Sequence, residues 1–152
     1  MKRIVKKFLA LPAEKKRFML EAFIYLGWAR ILKTIPFSRL APSLGRRMFE
    51  TPLAHDPSHV MAIRQIAQAI GVMSRHTIWE SQCMVRAIAA SKMLKRRRIG
   101  STLYLGTARD EQGKMIAHAW LRSGPFYVTG AEEMKMFTMV AAFGSDETQG
   151  KE

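Results

Sequence analysis

Cysteine is nearly absent from this chain: among 152 residues, Cys83 is the only one. A single thiol excludes an intramolecular disulfide and the paired-cysteine zinc patterns. Acidic residues are also scarce, 12 against 25 lysines and arginines, giving a net charge of +13 and a pI near 10.5. Such a field suits an acidic partner: nucleic acid, an anionic membrane or an acidic peptide. There is no uninterrupted apolar run of the roughly 20 residues a membrane span needs. The most apolar stretch, Phe18 to Leu32, is broken by Glu21 and Arg30. The basic N-terminus MKRIVKKFLALPAEKKR is too charged, and its apolar run too short, for a signal peptide, so a cytoplasmic location is expected. No Gly-rich phosphate loop, HExxH spacing or internal repeat occurs, so neither a metal nor a cofactor is expected.

What is present is ordinary for a folded domain: 48% hydrophobic and 24% charged residues, enough for one core. Leu11-Pro12-Ala13-Glu14 reads as a helix start, and the helix should stop near Thr34, before Pro36. Because its middle is apolar on more than one face, the expectation is a central helix covered by the rest of the domain. A surface docking on a membrane or partner is the alternative. Prolines 36, 42, 52 and 57 mark a connecting region with one short helix around Phe37 to Phe49. Asp56-Pro57 starts the next helix, with Ile63, Ile66, Ala67, Ile70 and Met73 on one face and an end near Ser74.

A third helix begins at Ser81 or Cys83, capped by Thr77 (with Glu80 three residues on) or Ser81, and runs to Arg97. Cys83, Ala87, Ala90 and Leu94 share one face. The cationic run from Lys95 to Arg98 reads as a solvated helix end, with a patch for an acidic peptide as the alternative. After Gly100 the period changes to two: STLYLGTA, KMIAHAWLRS, FYVTG and FTMVAAF read as four strands, with turns at Asp110 to Gly113 and Ser123 to Pro125. The fold class is therefore α+β, with N-terminal helices packed on a small antiparallel sheet. The expected organisation is a single domain over 1–152: an N-terminal helical region (1–56), a core (57–143) and a disordered tail (144–152).

A lone cysteine is usually a small buried hydrophobe. Here it falls at a helix start, where the dipole and unpaired N–H groups favour thiolate. His118 lies 35 residues on, in an alternating strand, where it could take the thiol proton and return it to a leaving amine. Trp120, two residues later on the same strand face, could wall the site. His76 is a weaker partner for the thiol, and His55 and His59 flank a helix start as capping or surface residues.

The segment from Cys83 to about Phe143, CMVRAIAASKMLKRRRIGSTLYLGTARDEQGKMIAHAWLRSGPFYVTG through FTMVAAF, resembles the transglutaminase-like cysteine peptidases of lasso-peptide biosynthesis. The resemblance implies a transglutaminase- or papain-like core that removes the leader from a ribosomally made precursor peptide. It makes Cys83 the nucleophile and His118 the base; from its place at the helix start, the Cys83 backbone N–H is the expected oxyanion donor, with Gln82 as a candidate second. It also implies a small leader-binding protein and an ATP-dependent lactam-forming cyclase as companions. One position departs from the family. The aspartate found in many members about a dozen residues after the histidine is replaced here by Thr129-Gly130, while Glu132 and Glu133 lie beyond it. Thr129, through its hydroxyl or a neighbouring backbone carbonyl, is the expected third member. The competing reading is a basic, non-catalytic binding or scaffold protein with an inert thiol; no nucleic-acid signature stands out.

Overall fold

A computed structural model describes residues 2–76 and 82–146. Five helices precede most of the sheet. They are α1 (Lys2–Leu9), α2 (Ala13–Leu32), α3 (Phe37–Leu44), α4 (Val60–Ser74) and α5 (Cys83–Arg96). The strands are β1 (Arg46–Arg47), β2 (Ser101–Arg109), β3 (Met115–Ser123), β4 (Phe126–Thr129) and β5 (Thr138–Ser145), in the spatial order β1-β5-β2-β3-β4. Every pairing is antiparallel. The domain is thus α+β.

Local chemistry sets the boundaries. Pro12 precedes α2 in an extended conformation, and Asp56 accepts a hydrogen bond from the Ser58 N–H to open the 3-10 turn Pro57–His59 that leads into α4. That bond is the first cause of a lowered Asp56 carboxyl pKa. Gln82 takes the N-cap position of α5, with no side-chain capping bond. The alternatives Thr77 and Ser81, with Glu80, lie outside the described residues. The β2–β3 turn closes on Asp110, whose Oδ1 accepts from the Gln112 and Lys114 N–H groups, while Gly113 takes φ +77°. α1 and the two-residue β1 have no counterpart in the periodicity of the sequence. β5 continues to Ser145, past the expected start of the tail; residues 147–152 lie outside the described set.

The main core lies between helices and sheet. Leu26, Leu44, Ile66, Ile70, Ile88, Met93 and Leu94 meet Leu103 and Leu121 there, all fully or almost fully buried. α2 packs on α4 and α5, and α5 packs on β3 and β2. Ala87 and Ala90 are buried, and their small side chains let α5 lie close to the strands. A smaller cluster forms among Tyr104, Trp120 and Ala142, with Met134 and Phe137.

Two expectations are corrected. α2 is not covered all round: Phe18, Met19, Ala22, Leu26 and Ala29 are buried, but Leu20, Ile24, Trp28 and Ile31 are more than half exposed. Its sequence is apolar on both faces, yet α4 and α5 cover only one. The basic end of α5 is not simply solvated either. Arg97 donates from Nη1 and Nη2 to the two oxygens of Glu21, at 2.7 and 2.6 Å, and its guanidinium stacks on Phe18 at 4.6 Å. Glu21 is buried, so this two-pronged pair is the partner it requires.

Candidate active site

His118 and Trp120 share one face of β3, while Ala119 and Leu121 point into the main core, as strand alternation requires. His118 is buried and held on three sides. Its Nε2 lies 2.8 Å from the Gly130 carbonyl. Because a carbonyl only accepts, Nε2 carries the proton and Nδ1 is left as the basic nitrogen. The imidazole also stacks on Phe137, with centroids 5.0 Å apart, and on Trp120 at 5.9 Å. Trp120 stacks in turn on Tyr104, at 5.6 Å and 15°.

Two glycines make room for this arrangement. Opposite His118 on β2 is Gly106, where a Cβ would come within 2.8 Å of the Trp120 ring and 2.9 Å of Phe137 Cβ. Gly130 takes φ +74°, and a Cβ there would lie 2.6 Å from the Ala119 carbonyl oxygen and 3.1 Å from His118 Nε2. Behind the rings, the Tyr104 hydroxyl donates to Glu50 at 2.6 Å and accepts from buried Arg122 Nε at 3.0 Å. Arg122 also donates to the Gly124 and Thr51 carbonyls, each at 2.8 Å. Burial first, and then the bond to Glu50, push the Tyr104 phenol pKa up; Arg122 pulls the other way.

Cys83 opens α5, half-buried against the edge of the main core. The structure does not bring its thiol into hydrogen-bond contact with His118, although α5 packs directly on β3. The residues that enter the helix, 77–81, are outside the described set. Gln82 is exposed, and its Oε1 accepts from Lys33 Nζ just beyond the end of α2. The other histidines stand apart: His55 packs edge-on to Phe126 at 5.1 Å, His59 ends the 3-10 turn, and His76 follows α4. Among the described residues no group of three potential ligands could hold a metal ion.

A cleft of about 280 Å³ reaches His118 from the helices. Its walls include Ile70 and Gly71 of α4, Arg86 of α5 and residues 127–133, but not Cys83 itself. Arg86 sits one turn beyond Cys83. Arg86 Nε and Thr129 Oγ1, both on this cleft, are buried without a hydrogen-bond partner among the described residues. Thr129 pairs with Leu121 in the sheet, so it is the next residue's carbonyl that meets the imidazole. Glu133 Oε2 stands 3.9 Å from Nδ1 on a largely exposed side chain.

Periodicity made His118 and Trp120 visible in the sequence. Arg86, Gly106 and Phe137 carried no such signal, since each contributes through tertiary placement alone, while Gly130 falls at the Thr129-Gly130 position where the resemblance lacks its acid.

No curated protein and no solved structure matches the chain. A protein-family model does, over residues 22–142, which include both Cys83 at its helix start and His118 on its strand. The chain belongs to the transglutaminase-like superfamily.

Proposed function

We propose that the domain is a cysteine peptidase that removes the leader from a lasso-peptide precursor. The observation that supports it most is the fixed histidine. Nε2–H is tied to a backbone carbonyl, so Nδ1 is the available base, on a strand against which the helix opened by Cys83 is packed. In this reading a peptide entering the cleft brings the thiol and imidazole together, since catalytic hydrogen bonds commonly tighten only around substrate. Cys83 Sγ attacks the carbonyl at the leader–core junction, and its proton passes to His118. His118 returns that proton to the departing amine, leaving a thioester on the leader. Water attacks the thioester, releasing the leader carboxylate and restoring the thiol. The Cys83 backbone N–H and Gln82 are the oxyanion donors. Arg86 and Thr129 face the peptide from the cleft wall, and Trp120 backs the imidazole. The leader-binding protein would present the precursor, and the lactam-forming cyclase would take the freed core peptide.

Alkylation by iodoacetamide at pH 7, followed by mass, separates this from an inert scaffold thiol. The expected result is single-site labelling at Cys83 that slows by about 100-fold in His118→Ala, the lower end of what a general base contributes. Equal, slow labelling of both proteins would mark Cys83 as a packing residue.

A further inference from the structure

The outer face of α2 is the most unusual surface in the molecule. Leu20 (57% exposed), Ile24 (59%), Trp28 (52%) and Ile31 (60%) follow one another at three- and four-residue intervals. They therefore form one ridge along the helix. Scattered exposed apolar residues need no explanation, but a continuous ridge of four large ones does. α2 lies against α4 and α5, and its ridge is the side that the core does not use. Leu20 and Ile24 line an open groove together with Arg17 and Arg96, so cations border the apolar ridge.

Charge identifies the surface. Residues 2–44 contain ten lysines and arginines and only two acids, Glu14 and Glu21. Glu21 is already paired with Arg97. This segment alone contributes a net +8 of the chain's +13, from ten cations less two acids. Two of these cations, Lys6 and Lys7, lie in the last turn of α1, and among the described residues no helix is long and apolar enough to cross a bilayer. Apolar side chains with a tryptophan among them, set in a cationic surface, are the composition of helices that lie in the bilayer interface.

We propose that the exposed face of α2, with the basic α1 that precedes it in the chain, docks the protein on an anionic lipid surface. The ridge enters the acyl boundary while the cations meet the phosphates. The His118 cleft is walled by α4, α5 and β4, not by α2, so docking leaves it open.

Co-sedimentation of the full chain with vesicles tests this directly. Phosphatidylcholine vesicles containing one quarter phosphatidylglycerol should pellet the protein at 100 mM salt, whereas pure phosphatidylcholine should bind at least 10-fold less. Replacing the ridge (Ile24→Ser with Trp28→Ser) should weaken binding to the anionic vesicles at least 10-fold with an unchanged circular dichroism spectrum. In a second variant, Lys6→Gln with Lys7→Gln should lower both the affinity and its salt dependence. The protein remaining in the supernatant, or undiminished binding by the ridge variant, would overturn the proposal. So would a concentration-dependent dimer that the ridge variant abolishes, which would assign the face to a second copy.

Discussion

His118 depends on one neighbour above all, Gly130, which supplies the carbonyl for Nε2 and has no room for a side chain. Gly130→Ala places a Cβ in the left-handed region, costing roughly 1–2 kcal/mol in backbone strain alone, and pushes on the imidazole. It should lower the thermal midpoint and leave little cleavage. Thr129→Val should lose about 10-fold in kcat/KM, about 1.4 kcal/mol of barrier. Its buried hydroxyl has no partner among the described residues, so the loss should appear mainly in KM. Glu133 can assist only the protonated imidazole, from 3.9 Å and through solvent. Glu133→Ala should therefore lose less than 10-fold and Glu132→Ala still less. A fall in Glu133→Ala to the level of Cys83→Ala would instead make that glutamate the third member. At this scale the sequence exposes the candidate residues, because a lone cysteine and a strand histidine are rare types in marked positions. A backbone carbonyl beside Thr129 was one of two expected acceptors, and the sequence could not choose it over the hydroxyl, since only the fold aims the Gly130 carbonyl at the imidazole.

Among elements, the joint between α2 and α5 is the most testable. Arg97→Met removes the two-pronged bond to buried Glu21 and should cost about 2 kcal/mol in urea unfolding, within the range for charge-assisted hydrogen bonds. Arg96, 3.5 Å from Glu21, compensates part of the loss. The strut behind the site predicts a pH effect. The folded chain holds the Tyr104 proton more tightly than the unfolded chain does. That contribution is complete below the ordinary phenol value of about 10 and is lost as pH rises through the higher folded value. Urea midpoints at pH 9 and 11 should therefore converge more closely in Tyr104→Phe than in the parent. Helical and strand periods located α2, α4, α5 and the four long strands. They could not show which side of α2 meets protein, because that helix is apolar all round and its cover comes from elements distant in sequence. Nor could they show Arg97 bound to Glu21, 76 residues away.

For the whole molecule, the N-terminal helices share the main core with the Cys83 helix and the sheet. Ala22, Leu26, Leu40 and Leu44 are all buried in it. A fragment beginning near Asp56 would uncover that surface at about 25 cal/mol per Å². It should be insoluble or lack a near-ultraviolet circular dichroism signal, whereas a well-folded, active fragment would show the helices to be dispensable. The strong positive charge was legible from composition, but its concentration around an exposed apolar ridge was not, since that depends on which face of α2 is left outside. The central claim is that Cys83 cleaves a peptide bond with His118 as its base. Incubating a lasso-peptide precursor and its leader-binding protein with the full chain, and weighing the products, tests it most directly. Wild-type protein should yield two fragments whose masses sum to that of the precursor plus one water. Folded Cys83→Ala and His118→Ala should yield none, and the double variant should be no worse than either. An intact precursor after incubation with the wild type, or cleavage of the same bond by folded Cys83→Ala, would contradict the account.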